Sequence, residues 1–194
     1  YIMKKFFGLI NIYGFNIIKI FLYELYFILL GYKGNNFIIR NNKNSTDTIH
    51  CPYFFLNEIF SVIKNKNIRS FVDLGSGNGR VIYFFNKRLK IRYTGVEFFL
   101  DSYNFSCNIF KFKSNIKIIK NDFFKLGLKN LKYDCYFIND PIKNLKKHNL
   151  LIKKILLSQR STKKPFYFIL INLNKSKLKV FNKLNLIKSK KIYN

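Results

Sequence analysis

The run FVDLGSGNGR at residues 71–80 combines a carboxylate with a glycine-rich turn. Asp73 lies in a short apolar stretch that predicts a buried strand, and glycines follow it at every second position: Gly75, Gly77 and Gly79. Glycine lets a backbone approach a ligand closely and adopt positive φ, and a helix after the turn would direct free N–H groups into it. Glu97 ends the next apolar stretch, where a carboxylate can accept from both hydroxyls of a ribose. This combination predicts a nucleoside-binding site.

The elements that must position these residues alternate along the chain. Apolar runs predict strands at Ser70–Leu74, Tyr93–Glu97, Ile116–Lys120, Asp134–Asn139 and Phe166–Asn172. Longer helix-compatible stretches separate them, at Val81–Arg88, Leu100–Phe112 and Leu145–Leu157. The 194 residues, 48% of them hydrophobic, suffice for one domain with a sizeable core. The alternation predicts an α/β domain built on a parallel sheet with right-handed crossovers.

The acidic residues are few and are placed unusually. The chain has 9 Asp and Glu against 36 Lys and Arg. Four of them follow or end predicted strands: Asp73, Glu97, Asp122 and Asp140. Ligands of open α/β sheets bind outside the carboxyl ends of the strands. We therefore expect these four carboxylates to belong to one site.

The spacing Asp73-Leu74-Gly75-Ser76-Gly77-Asn78-Gly79 resembles motif I of the class I S-adenosylmethionine-dependent methyltransferases. Arg80 occupies the position of the third glycine of the dinucleotide fingerprint, which disfavours a nicotinamide-dependent oxidoreductase. Later segments resemble that family's further motifs in order, at residues 93–97, 121–123 and 136–142. The resemblance implies a three-layer Rossmann-like methyltransferase sheet with an N-terminal helical extension. It also implies S-adenosyl-L-methionine as the cofactor.

The resemblance also implies which residues hold this cofactor. Glu97 would bind the ribose hydroxyls, Asp122 the adenine amino group, and Phe123 would cover the ring. Tyr53 belongs to the segment His50-Cys51-Pro52-Tyr53, which is similar to a Tyr/Pro segment of lysine methyltransferases, some of which carry an N-terminal membrane anchor. The full expected set is Tyr53, Asp73, Gly75, Ser76, Gly77, Asn78, Gly79, Glu97, Asp122 and Phe123.

The segment after the fourth strand is the expected acceptor site. Methyl transfer from a sulfonium requires donor and acceptor in line, roughly 3–3.5 Å apart. We expect Asn139, Asp140 and the backbone carbonyls beside Pro141 to accept hydrogen bonds from an amine, with Asp140 as a base if its pKa is raised. Ile142 stands where methyltransferases of base amines usually carry an aromatic residue, which favours a protein lysine slightly over RNA. The alternative is a non-catalytic methyltransferase-like module that binds RNA or a protein partner.

The net charge of +27 has two interpretations that stay open. It favours an anionic partner such as RNA, DNA or an acidic membrane surface. The chain also has no alanine and no tryptophan while Lys, Asn, Ile and Phe abound, a composition typical of AT-rich codons. A positive charge that arises from codon bias does not require an anionic partner.

The cysteines and histidines predict no metal site. Three cysteines without CxxC spacing and two histidines do not form a zinc pattern. Scattered, odd-numbered cysteines are typical of an intracellular reducing compartment, the cytoplasm or an organelle matrix.

The apolar residues 6–32 have three interpretations. They favour a helix covering the sheet, and the others are an interfacial helix giving peripheral membrane contact and a marginal span. Lys19 interrupts the stretch, which weakens the span. We expect residues 1–47 to form this extension with an Asn-rich loop, residues 48–194 to form the methyltransferase domain, and the segment after Asn172 to suit a terminal antiparallel hairpin.

Overall fold

The structure, a computed structural model, describes residues 16–34, 50–162 and 164–182. Its centre is a five-stranded sheet in which every neighbouring pair is parallel. The strand order is β3-β2-β1-β4-β5. The strands are β1 (Ser70–Leu74), β2 (Arg92–Glu97), β3 (Ile116–Lys120), β4 (Cys135–Asn139) and β5 (Tyr167–Ile171).

Helices connect and flank these strands in the described part of the chain. They are α1 (Asn16–Leu29), α2 (Tyr53–Ile63), α3 (Arg80–Asn86), α4 (Leu100–Phe110), α5 (Leu145–Gln159) and α6 (Lys175–Leu178), with 3₁₀ turns at Leu128–Leu131 and Lys179–Phe181. A helix therefore lies between each pair of consecutive strands except β3 and β4, which the 3₁₀ turn connects.

The sheet has a hydrophobic core on each face because successive strand residues point to opposite sides. Phe71 and Phe137 pack in a cluster with residues of α2 and α3. Val72 and Tyr136, their neighbours in sequence, pack in a second cluster with residues of α5. Two helical layers thus enclose the sheet, which confirms the predicted three-layer Rossmann-like α/β fold.

The predicted strands are confirmed to within one residue at each end, and the three inner strands, β1, β2 and β4, are mostly buried in the parallel sheet. The sequence analysis did not predict α2, although apolar residues recur there at helical spacing. The terminal hairpin is not found in residues 175–181, which are helical or 3₁₀; residues 183–194 lie outside the described part.

The helix α1 packs on α2. Ile20 and Phe27 are buried in the core, whereas Phe21 and Leu29 are 64% and 78% exposed. No helix within residues 16–34, 50–162 or 164–182 combines the length and apolarity that a bilayer crossing requires. Peripheral membrane contact remains a prediction, as does the domain boundary at residue 47, which lies outside the described residues.

Candidate nucleoside site

The glycine loop, residues 75–79, is hydrogen-bonded to the end of β2. The backbone N–H groups of Gly75 and Ser76 both donate to the carbonyl of Val96, at 2.9 and 3.1 Å. Gly75 has φ +88°, and a Cβ there would lie 2.9 Å from the Cβ of Pro141. This position therefore requires glycine both for its backbone conformation and for the close approach of the segment after β4.

Glu97 ties the end of β2 to the middle of this loop. Its Oε2 accepts from the backbone N–H of Gly77 at 2.7 Å, and its Oε1 accepts from that of Phe99 at 2.8 Å. The residue is 6% exposed. A carboxylate with two charge-assisted bonds to backbone donors is held in one orientation.

Asp73 lies beside Glu97 and is more deeply buried, at 2% exposure. Burial, together with the neighbouring charge of Glu97, raises the pKa of Asp73 to about 8. Within the described residues its Oδ2 has no hydrogen-bond partner. A buried acceptor without a partner is costly, and a cationic or N–H-bearing ligand at this place would relieve that cost.

Ser76 and Asn78, which fill the loop between its glycines, are 6% and 1% exposed. The hydroxyl of Ser106 on α4 donates to the carbonyl of Gly77 at 2.8 Å. The loop is thus fixed by α4 from one side and by β2 from the other. The glycines Gly77 and Gly79 both have positive φ.

The segment after β3 reaches the same edge of the sheet. The N–H of Asn121 donates to the carbonyl of Glu97 at 3.0 Å. Asp122 accepts from the N–H of Phe124 at 2.9 Å, which makes a local turn, and is only partly buried. The ring of Phe123 is half-buried beside that of Phe124. Asp122 and Phe123 thus lie next to the end of β2, where the resemblance implies an adenine.

The predicted acceptor residues are engaged within the chain. The Oδ1 of Asn139 accepts from the amide of Asn172 at 2.8 Å. Asp140, with φ +38°, forms an ion pair with Lys177, which also donates to the carbonyl of Ile142 at 2.6 Å. Lys177 is 3% exposed, so a buried cation holds the segment after β4 in place. The sequence analysis missed Lys177, because nothing distinguishes it among the many lysines near it.

Tyr53 lies in the aromatic core behind the loop. Its ring is fully buried under the guanidinium of Arg80, 3.8 Å from the ring centre, and packs on Phe27 and Phe84. Its backbone N–H donates to Glu24 at 2.8 Å. The structure therefore gives Tyr53 a packing role, and its predicted contact with a cofactor remains a prediction. Arg80 belongs to the glycine-rich run, whereas sequence reasoning did not place Glu24 near this site.

The polar side chains of this site suit a cationic nucleoside better than a phosphate or a metal ion. Its polar groups are the buried side chains of Asp73 and Glu97, and an anionic phosphate beside the Glu97 carboxylate would be repelled. Within residues 16–34, 50–162 and 164–182, no group of three His, Cys, Asp or Glu side chains has a metal-binding arrangement. The site combines two carboxyl acceptors with a glycine turn that a ligand can approach closely and with the apolar ring of Phe123.

Comparisons with known proteins find solved structures of similar fold. No protein-family model and no curated protein matches the sequence. Three similar solved structures are an RNA methyltransferase from Salinibacter ruber in complex with S-adenosyl-L-homocysteine, a coclaurine N-methyltransferase and the [4+2]-cyclase SpnF.

These likenesses are distant. The TM-score is 0.48 in all three cases, with identities of 14%, 17% and 13% respectively. The matches cover 57%, 61% and 68% of this chain, and 71%, 34% and 50% of those chains. The chain thus spans half or less of the length of the second and third structures. At such identities the agreement concerns the fold alone.

Proposed function

We propose that this protein is an S-adenosylmethionine-dependent methyltransferase that acts on a nitrogen acceptor. The observation that carries the proposal is the pair of buried carboxylates, Asp73 and Glu97, at the carboxyl ends of adjacent parallel strands beside a glycine loop. An unpartnered, buried carboxylate oxygen suits a positively charged nucleoside derivative. The Rossmann-like fold and the motif resemblance support the same conclusion.

The roles follow from the contacts. Glu97 would exchange its backbone donors for ribose hydroxyls, and Asp122 and Phe123 would hold and cover the adenine. Asp73 would face the cationic part of the ligand, and Gly75, Ser76, Gly77, Asn78 and Gly79 would form the wall against it. When bound, S-adenosylmethionine supplies an activated methyl group, so the protein need only align the acceptor and exclude water.

The ion pair changes what Asp140 can do. Protonating its carboxylate would leave the buried Lys177 without its countercharge, which makes Asp140 a poor base. The Asn139 Oδ1 and the carbonyls beside Pro141 are the other acceptor groups of this segment that could orient an amine. We therefore propose that these groups hold an acceptor that arrives as a neutral amine, and that Asp140 shapes the segment.

The acceptor is proposed to be a protein lysine or RNA. Exposed Lys143, Lys146 and Lys147 beside the acceptor segment support RNA. Ile142, which is buried and not aromatic, supports a protein lysine, because no ring is offered at that position for a base to stack on. Three free cysteines, two of them buried, support the proposal of a reducing intracellular compartment.

Calorimetric titration with S-adenosylmethionine, and separately with NAD, tests the cofactor. Saturable binding of the former that is weakened at least tenfold in Glu97→Gln supports the proposal. Asp134→Asn is the matched control, because Asp134 accepts backbone N–H groups at the opposite end of β1. A folded protein that binds NAD or neither ligand would overturn the proposed function.

The second candidate function is a non-catalytic module that binds RNA or a protein partner. It is favoured by the engagement of Asn139 with Asn172 and of Asp140 with Lys177, which leaves few free groups at the acceptor segment. Radiolabelled methyl transfer to mixed RNA and to mixed protein acceptors separates the two functions. Cofactor binding with RNA binding but no transfer to either acceptor pool would favour the module.

A further inference from the structure

Glu24 of α1 connects two elements that are distant in sequence. Its Oε1 accepts from the backbone N–H of Tyr53, the first residue of α2, at 2.8 Å. Its Oε2 forms an ion pair with Arg80. A carboxylate at a helix N-terminus is favourable, and α2 has no side-chain cap of its own. Glu24 therefore caps α2 and neutralises Arg80 at the same time.

Arg80 stands where the glycine loop becomes a helix. It directly follows Gly79 and is the first residue of α3. Its side chain is 6% exposed, and its guanidinium lies 3.8 Å from the centre of the Tyr53 ring. The backbone of Arg80 is also contacted by Gly34, where a Cβ would lie 2.8 Å from the Arg80 nitrogen. The segment after α1 thus packs against the end of the loop.

Two residues that precede α2, His50 and Cys51, lie in the electrostatic field of Arg80. Burial and the charge of Arg80 lower the pKa of His50 to about 4. The thiol of Cys51 feels the charges of Arg80, Asp73 and Glu24, in addition to the burial that raises its pKa. The charges of Arg80 and Asp73 therefore act on the same side chain, that of Cys51.

We propose that Glu24 is a positioning residue that acts through Arg80 to hold the glycine loop in its ligand-binding conformation. The N-terminal helix α1 is then part of the nucleoside site rather than an appended extension. The identity of the ligand used below rests on the proposed function. Removing the carboxylate would leave a buried guanidinium without its countercharge, and relief of that cost requires movement at the end of the loop.

The test compares two carboxylate-to-amide changes, Glu24→Gln and Asp134→Asn. Asp134 accepts from the N–H groups of Arg69 and Ser70 at 2.8 and 2.9 Å, so both changes weaken a carboxylate that holds backbone donors. We expect Glu24→Gln to raise the Kd for S-adenosylmethionine about tenfold, and Asp134→Asn to leave it unchanged at a similar loss of thermal stability.

A second readout needs no ligand. The backbone N–H of Gly77 donates a hydrogen bond to Glu97, and the hydrogen-exchange rate of this amide reports on opening of the glycine loop. We expect this amide to exchange faster in Glu24→Gln, beyond the general change in stability, but not in Asp134→Asn. If Glu24→Gln does not fold, Arg80→Lys is measured instead, since it keeps the charge and loses the planar fork over Tyr53.

The outcomes are distinguishable. Equal Kd values and equal Gly77 exchange in Glu24→Gln and Asp134→Asn would overturn the positioning role. A wild-type protein that does not bind S-adenosylmethionine would overturn the proposed function, and the exchange of Gly77 would still decide the positioning role by itself.

Discussion

The backbone N–H of Gly77 donates to the carboxylate of Glu97 at 2.7 Å. The residue that ends β2 thus holds the centre of the glycine loop, although 20 positions separate the two in sequence. The bond gives Glu97 a structural role in the free protein in addition to its proposed role toward a ribose. A ligand that binds Glu97 would compete with Gly77 for the same oxygen, so binding and loop conformation are coupled.

Glu97→Gln should weaken cofactor binding strongly. The amide replaces one acceptor oxygen by a donor, and each lost bond to a charged acceptor is worth about 1.5–3 kcal/mol, so the Kd should rise at least tenfold. Calorimetry with S-adenosylmethionine measures the loss, and circular dichroism checks the fold. An unchanged Kd in a folded variant would contradict the assignment of Glu97.

Asp73 should make cofactor binding pH-dependent. Its pKa near 8 means that the free protein holds a proton there at pH 7, whereas a cationic ligand favours the ionised form. Affinity should therefore rise as the pH increases through 8 and level off above it. Calorimetry in buffers of different ionisation enthalpy should show proton release at pH 7 in the wild type but none in Asp73→Asn.

The same carboxyl group should weaken the fold as the pH rises. An unfolded Asp titrates near 4 and the folded one near 8, so between these values the folded state binds more protons. The free energy of unfolding should fall by up to about 1.4 kcal/mol per pH unit over this range. Urea denaturation at pH 5 and pH 8 measures it, and Asp73→Asn should lose this slope.

Gly75→Ala should destabilise the protein where Gly127→Ala does not. The Ala side chain would meet Pro141 at 2.9 Å on a backbone with φ +88°, whereas a Cβ at Gly127 has nothing within 4 Å. Strain of this kind costs on the order of 1–3 kcal/mol. Thermal denaturation compares the two variants, and equal melting temperatures would show that the Gly75–Pro141 contact yields easily.

Lys177→Met should be more harmful than the double change Lys177→Met with Asp140→Asn. Removing one partner of a buried ion pair costs about 3–5 kcal/mol, because the other charge is left uncompensated. The double variant removes both charges and should recover part of the stability. Urea denaturation of both variants and of Asp140→Asn completes the cycle. Additive effects would mean that the pair is not coupled.

Much of the fold could be predicted because its signals are local. Each strand is a short run that contains apolar residues, and the inner strands β1, β2 and β4 are mostly buried in the parallel sheet. The helix α2 was not predicted, although its apolar residues recur at helical spacing. The placement of the Tyr53 ring in the core depends on Phe27, Arg80 and Phe84, which lie far from it in sequence.

The sequence by itself determined the five strands, the glycine turn and the gathering of Asp73, Glu97, Asp122 and Asp140 at one sheet edge, because parallel strands bring their carboxyl ends together. Only the tertiary structure decided which charges are paired. Asp140 meets Lys177, and Glu24 meets Arg80, across 37 and 56 positions of chain. Such pairs depend on how the helices pack against the sheet, and the order of residue types along the chain does not specify which distant residues that packing brings into contact.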